Sequence, residues 1–526
     1  MSDLVHASIF RIAASTPDAQ ALVYQGQRLN YAALATQVET AAQTLLACGI
    51  DRDERVAVYL EKRIEAVVAL FGAAAAGAVF VPVNPLLKPE QVAYILADCN
   101  VRILVTSVDR LLGLVNVLQQ CRDLHTVVVV GAATPLPPLP GIHILFWNDA
   151  VNVTAWTPVH RRIDSDMAAI LYTSGSTGRP KGVVLSHRNM VAGAVSVAGY
   201  LENTAQDRIL VALPLSFDYG LSQLTTAFHT GAAVVLMNYL LPRDIVRMVE
   251  SERITGLAAV PPLWQQLVQQ VWPAASGLRY VTNSGGALQR STLDKMRSVF
   301  PGTQIYLMYG LTEAFRSTFL PPSELDQRPD SIGRAIPNAE VTVVRPDGTL
   351  CKPNEPGELV HRGALVSLGY WNDPEKTAER FKPLPGREQA LPFAEIAVWS
   401  GDTVRMDEEG FLYFIGRDDD MIKVSGYRVS PHEVEEVVYA TGMVTEAAAI
   451  GVQHPHFGQA VVVVVSRSDG LSPQALIKAC QRHLPSYMVP SHVEEWEGSL
   501  PRNPNGKIDR KLLQQSLAAF FGDEVK

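Results

Sequence analysis

Eleven residues, Tyr172 to Gly182 (YTSGSTGRPKG), contain three glycines, the hydroxyls of Thr173, Ser174, Ser176 and Thr177, and Lys181. Glycines such as Gly175 and Gly178 let backbone N–H groups turn inward on an anion. Hydroxyls add donors, and a lysine adds a point charge. The chemistry implied is phosphate binding. The spacing is not the Walker pattern, because Arg179 and Pro180 follow Gly178 where that pattern has Lys and Ser or Thr. Apolar runs on either side, Met167–Leu171 and Gly182–Leu185, place the loop between two expected strands. The bland alternative, a surface linker, seldom sits in such a position. A second constellation, YGLTEA from Tyr309 to Ala314, sets an aromatic, a hydroxyl and a carboxylate directly after the strand-like run Ile305–Met308. One carboxylate with phosphate oxygens is a usual way to hold Mg²⁺, although Thr followed by Glu is also common at a helix N-terminus. Lys507, in PRNPNGKIDR, lies in a stretch shaped by Pro501, Pro504 and Gly506. Taken alone, it reads better as a solvated lysine.

The phosphate loop resembles that of the AMP-forming adenylate enzymes: acyl-CoA synthetases, luciferases and the adenylation domains of nonribosomal peptide synthetases. The resemblance extends over nearly the whole chain. It implies that the loop Thr173–Gly178 and Lys181 hold the phosphates of ATP. It also implies that Ser284, Gly285, Gly286 and Ala287, in NSGGA, edge the adenine. Tyr309 would pack on the base, with Gly310 also at the ATP site; Thr312 would contact the α-phosphate, and Glu313 would help hold Mg²⁺. Asp402, in WSGD, and Arg417 resemble the residues that reach the ribose; Ser400 stands where Thr is commoner. Asp419 matches the hinge position, and KVSGYR, with Gly426 and Tyr427, resembles the thiol-tunnel loop. Lys507 resembles the lysine that bridges the substrate carboxylate and the α-phosphate; Asn503 stands where Thr is commoner.

The same resemblance implies an acid pocket lined by Phe217, Asp218, Tyr219, Ser222, Ala259, Thr282, Ser284, Met308, Arg316 and Ser317. Phe217-Asp218 is similar to amino-acid-activating members, in which the aspartate pairs with the α-ammonium. A buried carboxylate needs such a partner. Leu311 is more typical of acyl-CoA synthetases. Arg316 is unusual there, and either binds a second anionic group or points to solvent. LTEAFRSTFLPP and WSGDTVRMDEEGFLYFIGR are similar to stand-alone acyl-CoA ligases found with exosortase systems. The expected reaction is ATP-dependent activation of a small carboxylic or amino acid as acyl-AMP. Transfer to the phosphopantetheine of an acyl or peptidyl carrier protein would follow, or alternatively to CoA. A non-catalytic ATP sensor is the remote alternative, disfavoured by the intact set Lys181, Glu313, Asp402 and Lys507.

The elements that must position these residues are legible as alternating strands and helices. Strand runs at 21–24, 55–60, 79–83, 103–106 and 127–130 are separated by helical stretches such as 31–48 and 89–98. That alternation predicts α/β architecture with parallel, doubly wound sheets. Later strands run into Pro214–Asp218, Pro261-Pro262, Asn283–Ala287 and Tyr309–Ala314, so the four loops are expected at one cleft beyond the strands' carboxyl ends. A β-rich subdomain is expected over about 332–418, closing an N-terminal domain of residues 1–418. A small mobile α+β domain is expected over 419–526. The uncharged run Ala66–Val83 contains Pro82 and reads as a helix to about Gly77 and then a strand, not a membrane span. A net charge of −8 argues against a nucleic-acid surface. Five scattered cysteines (Cys48, Cys99, Cys121, Cys351, Cys480) lack metal or disulfide spacing and predict a reducing compartment. With no basic-then-apolar N-terminus, a cytoplasmic location is expected.

Overall fold

The computed structural model describes residues 4–150, 157–173, 180–273, 276–286, 288–385, 394–417, 420–424, 427–454, 458–467, 470, 472–503, 506–518 and 520–521. The expected alternation is present. One sheet of eight described strands runs in the order 369–370, 181–186, 167–173, 79–82, 55–59, 101–107, 126–130, 143–146, parallel from 167–173 onward. A second sheet of fourteen has a parallel centre: 20–24, 233–236, 208–211, 256–259, 280–283 and 304–309.

Helices cover both faces of each sheet, as long apolar strands require. Between the sheets lie Tyr31–Ala47, Ile64–Ala76, His187–Tyr200 and Asp218–Thr230. They share one core with Leu22, Val211 and Val234 of one sheet and Val58, Phe80 and Val105 of the other. Apart from Glu65, Ile64–Ala76 is apolar on every face, and all of it but Glu65 and Ala75 is buried. Gly77, at φ 90°, ends it in a conformation that disfavours a side chain. Phe71 from this helix meets Phe228 edge-on at 5.3 Å between ring centres. Each such buried side chain contributes roughly 1.5–3 kcal/mol. The outer faces pack separately, on Ile245, Trp264 and Leu293 for one sheet and on Val92, Leu96 and Leu111 for the other. No helix among the described residues is long and apolar enough to cross a membrane.

Strands of the β-rich region extend the large sheet. Ser331–Ala335 pairs antiparallel with Thr318–Leu320 on one side and Leu412–Arg417 on the other. Ile396–Met406, Gly357–Gly363 and Ala339–Val344 follow outward. A third sheet of five strands, all between Ile422 and Trp496, carries helices Pro431–Ala440 and Pro473–Gln481 on one face. Helix Arg510–Ser516 covers the other. The expected hinge, Asp419, lies outside the described residues.

Three histidines set an acid limit on stability. His187 opens its helix fully buried and accepts the Val5 N–H on Nδ1; His6 lies beside it, and His361 is buried in Gly357–Gly363. Burial lowers their pKa values to about 3, about 4 and about 3. Below the ordinary histidine value the unfolded chain takes up these protons and the folded protein does not. Stability is therefore complete above about pH 6.5 and falls as pH drops towards 4. The expected slope is up to about 1.4 kcal/mol per pH unit for each histidine. Urea midpoints measured from pH 7 to pH 5 should show it, and His361→Phe should flatten the slope by about one proton.

Candidate functional site

The parallel strands of the large sheet all end at one edge of it. After Arg208–Val211 the chain runs through Pro214 into helix Asp218–Thr230, with Phe217 at its N-cap. Gly220 lies so close to the Pro214 carbonyl that a Cβ there would be 2.0 Å from its oxygen, which pins the first turn of the helix to the loop. Gly285 follows strand Tyr280–Asn283 at φ 82°, and a Cβ on it would meet the Phe217 ring at 3.3 Å and Val260 at 3.4 Å. The loops after three different strands therefore touch. Tyr309 to Ser317 supplies the fourth, with a Cβ on Gly310 falling 3.3 Å from the Arg316 Cα.

On the expected nucleotide side, the Tyr309 hydroxyl donates to Asp402 Oδ2. Asp402 Oδ1 faces Arg417 Nε at 3.4 Å. Burial and the Asp402 charge hold the Tyr309 phenol well above its ordinary pKa. Ser400 shapes the approach: its Oγ donates to the Leu359 carbonyl at 2.6 Å and accepts the Asp402 N–H at 3.1 Å. A serine hydroxyl thus makes both turn bonds at the position where threonine is commoner.

Strand Met167–Thr173 leads into the phosphate loop and Lys181 opens the returning strand Lys181–Ser186. Ser174, Gly175, Ser176, Thr177, Gly178 and Ala287 lie outside the described residues. The start of the loop is anchored by the Tyr172 hydroxyl, which donates to Asp98 Oδ2 at 2.5 Å. Lys181 Nζ sits 5.1 Å above the centre of the Tyr370 ring, and the Tyr370 hydroxyl donates to Glu313 Oε1 at 2.6 Å. Burial and Lys376 lower the Lys181 pKa, while Glu313 opposes the shift. The backbone reinforces this link: Ser367 N–H donates to the Glu313 carbonyl at 2.8 Å and Trp371 N–H to the Gly182 carbonyl at 2.7 Å. Sequence reasoning missed Tyr370. Gly369-Tyr370-Trp371 carries no spacing tied to either loop, and only the antiparallel pairing of 369–370 with Val183 and Val184 brings it there. No cluster of three metal-ligating side chains occurs among the described residues. Glu313 beside Lys181 and Thr312 fits Mg²⁺ held by one carboxylate together with phosphate oxygens.

The expected acid pocket is brought together. Asp218, Tyr219, Ser222, Ala259, Thr282, Ser284, Met308, Arg316 and Ser317 are all buried. The Tyr219 hydroxyl hydrogen-bonds Thr282 Oγ1, and Trp264 Nε1 donates to the Thr282 carbonyl at 3.1 Å. Tyr200 donates to the Met308 sulfur at 3.0 Å. Of the two alternatives for Arg316, solvent is excluded: the residue is 2% exposed. Its guanidinium lies 4.7 Å above the Tyr219 ring, with Nη2 3.5 Å from Asp218 Oδ2. Burial raises the Asp218 pKa, and Arg316 and Lys507 pull against it.

Lys507, near the far end of the chain, is electrostatically coupled to this site. Its turn is closed by Asn503, whose Oδ1 accepts the Lys507 N–H at 3.0 Å and whose own N–H donates to the Lys507 carbonyl at 2.8 Å. Asparagine at this position therefore acts as a turn former. Lys507 is exposed to solvent. Desolvation and Arg417 nevertheless lower its pKa, against the support of Asp218 and Asp402. Asp218 and Asp402 register Lys507 in return. Tyr427 lies in strand Tyr427–Val429, and Gly426 is outside the described residues.

Comparison with known proteins gives the family. Residues 9–371 match a family model described as AMP-binding enzyme, and residues 433–507 one described as AMP-binding enzyme C-terminal domain. The sequence is 30% identical over 517 residues to a subunit of the linear gramicidin synthase of Brevibacillus parabrevis, covering 97% of this chain and 10% of that protein. The chain thus spans about a tenth of that relative's length. Among solved structures, ATP-bound MatB from Rhodopseudomonas palustris is 25% identical with a TM-score of 0.87, covering 99% of this chain and 100% of that one. The O-succinylbenzoate coenzyme A synthetase MenE of Bacillus subtilis, in complex with ATP and magnesium ion, is 25% identical with a TM-score of 0.82 over 96% and 98%.

Proposed function

The chain belongs to the AMP-binding enzyme family, and we propose that it joins an amino acid to a thiol through an acyl-adenylate. The observation that carries this reading is the electrostatic coupling of Lys507 to Asp218 and Asp402. Its charge acts on both the carboxylate that ends the acid pocket and the carboxylate of the expected ribose site. A lysine so placed can serve both a substrate carboxylate and the α-phosphate.

In the first half-reaction a carboxylate oxygen attacks the α-phosphorus of ATP. The bond from that phosphorus to the β-bridging oxygen breaks, and pyrophosphate leaves with the electron pair. Lys507 balances the charge gathering on the attacking oxygen and the α-phosphate; Lys181 and the phosphate loop hold the departing pyrophosphate. Such positioning and charge balance supply most of the acceleration in phosphoryl chemistry. Glu313 would hold Mg²⁺, which offsets phosphate charge when bound. Tyr309, Gly285 and Gly286 flank the adenine, and Asp402 and Arg417 take the ribose hydroxyls. In the second half-reaction a thiol sulfur attacks the acyl carbon. The bond to AMP breaks, AMP leaves with the electron pair, and the thiol proton goes to solvent. Residues 419–526 turn about Asp419 between the two, withdrawing Lys507 and presenting Gly426 and Tyr427.

Asp218 supports the amino-acid reading, because a buried carboxylate of raised pKa gains from an ammonium. The relation to a gramicidin synthase supports a carrier-protein phosphopantetheine as acceptor. The full-length likeness to a coenzyme A synthetase favours a second reading, with CoA as acceptor. Acid-dependent ATP–pyrophosphate exchange tests the first half-reaction. Thioester formation with CoA, compared with a pantetheinylated carrier protein, tests the second. Exchange with an amino acid and loading of the carrier alone is the expected result; exchange only with acids lacking an amino group would sink the amino-acid assignment.

Tyr370 is a positioning residue here, joining Lys181 to Glu313. Tyr370→Phe removes one hydrogen bond to a charged acceptor and should lower kcat/KM for ATP by roughly tenfold. The Mg²⁺ concentration for half-maximal exchange should rise as well, a change that general loosening of the fold would not produce.

A further inference from the structure

The pocket end formed by Asp218 and Arg316 carries two charges that do not satisfy each other. Both side chains are almost fully buried, at 4% and 3% exposure. Their nearest approach is 3.5 Å, outside the range of a charge-assisted hydrogen bond. Arg316 Nε and Nη2 have no hydrogen-bond partner among the described residues, and neither does Oγ of the next residue, Ser317. Nε and Nη2 form one edge of the guanidinium plane, the fork that accepts a carboxylate through two parallel bonds. The Tyr219 ring lies against one face of that plane at 4.7 Å and is itself held by Thr282. The fork is therefore fixed in place and unfilled. A buried guanidinium with idle donors is destabilising unless a ligand completes it.

Charge balance then restricts the acid. An amino acid with a neutral side chain would place its ammonium against Asp218 and leave Arg316 and that ammonium sharing a single carboxylate in a dry site. An acid with one carboxylate and no amino group would leave the fork idle. Extending the proposed activation of an amino acid, the geometry points to an amino dicarboxylic acid as substrate. Its reacting carboxylate lies beside Lys507, its ammonium on Asp218 and its second carboxylate on the Nε/Nη2 fork of Arg316. Each protein charge then has one partner of opposite sign.

The test is ATP–pyrophosphate exchange by the full chain with three sets of acids. The first set is aspartate, glutamate and 2-aminoadipate. The second is asparagine, glutamine, alanine and leucine. The third is succinate, glutarate, benzoate and octanoate. A site built to hydrogen-bond a charged group rejects the analogue lacking it by large factors, so one acid of the first set should exceed the amides asparagine and glutamine in kcat/KM by at least about 100-fold. Arg316→Gln should erase that preference. Because removing the guanidinium leaves Asp218 without its neighbour and could unfold the pocket, Arg316→Lys is the companion. It keeps a cation but loses the fork, and should raise the KM of the preferred acid at least about tenfold while the preference over the amide collapses. Highest exchange with a member of the second or third set would overturn the inference and leave the adenylate-forming reading intact. Exchange with no acid of any set would overturn both.

Discussion

Replacing Lys507 by alanine is expected to lower acid-dependent ATP–pyrophosphate exchange by at least about 100-fold while leaving thiol transfer from supplied acyl-adenylate within a few-fold of the unaltered protein. The asymmetry follows from where the lysine stands. Its ammonium is supported by Asp218 and Asp402 and opposed by Arg417, so it lies in the same electrostatic site as the acid pocket and the expected ribose site. Carboxylate attack on a phosphate brings two negative groups together, and a fixed cation between them stabilises the transition state more than the separated reactants. Thioester formation breaks the bond between acyl carbon and AMP and develops no such encounter. Neighbours should feel the change too: without Lys507, Asp218 and Asp402 each lose a supporting charge, so both carboxyls should titrate higher. Equal loss of the two half-reactions would contradict the division of labour between the conformations.

Glu313→Gln is the second change of large expected effect. The substitution keeps the size of the side chain and an acceptor for the Tyr370 hydroxyl, which donates to Oε1 at 2.6 Å. It removes the charge that a divalent cation needs, and the support that Glu313 gives the Lys181 ammonium. Both losses fall on the phosphates, so exchange should drop by roughly 100- to 1,000-fold, the range for removing one preorganised electrostatic group. The acid KM should change little. A rise confined to the acid KM would place Glu313 in the wrong part of the site. With Tyr370→Phe the expected loss is smaller, because the carboxylate stays and only its orientation is freed.

Much of this was legible in the chain because local spacing encodes local shape. The apolar runs before residue 212, residue 260, residue 284 and residue 310 each end in loop-forming residues, and parallel strands collect such loops at one edge. Lys181 and Glu313 were readable from the motifs around them. What could not be read depends on pairing between distant segments. Asp218 and Arg316 belong to loops after different strands, and no periodicity in either states that they face each other. Tyr370 joins the phosphate strand through a two-residue antiparallel pair, too short to leave a pattern. The β-rich region offered clear strands and turns, yet nothing local fixes which edge it adds to. Pairing of Ser331–Ala335 with Thr318–Leu320 makes it a continuation of the large sheet. The reason for Ser400 and Asn503 is likewise geometric: each forms turn bonds that threonine at the same place could also form in part.

The most direct test follows oxygen. The acid that supports exchange is labelled with ¹⁸O in its carboxylate and turned over with ATP and the thiol acceptor, and the products are weighed by mass spectrometry. Attack on the α-phosphorus leaves one carboxylate oxygen on AMP when the thioester forms. The expected result is a single ¹⁸O in AMP and none in pyrophosphate. Label in inorganic phosphate, with ADP as the nucleotide product, would mean that the acid attacks the γ-phosphorus and would contradict the acyl-adenylate route.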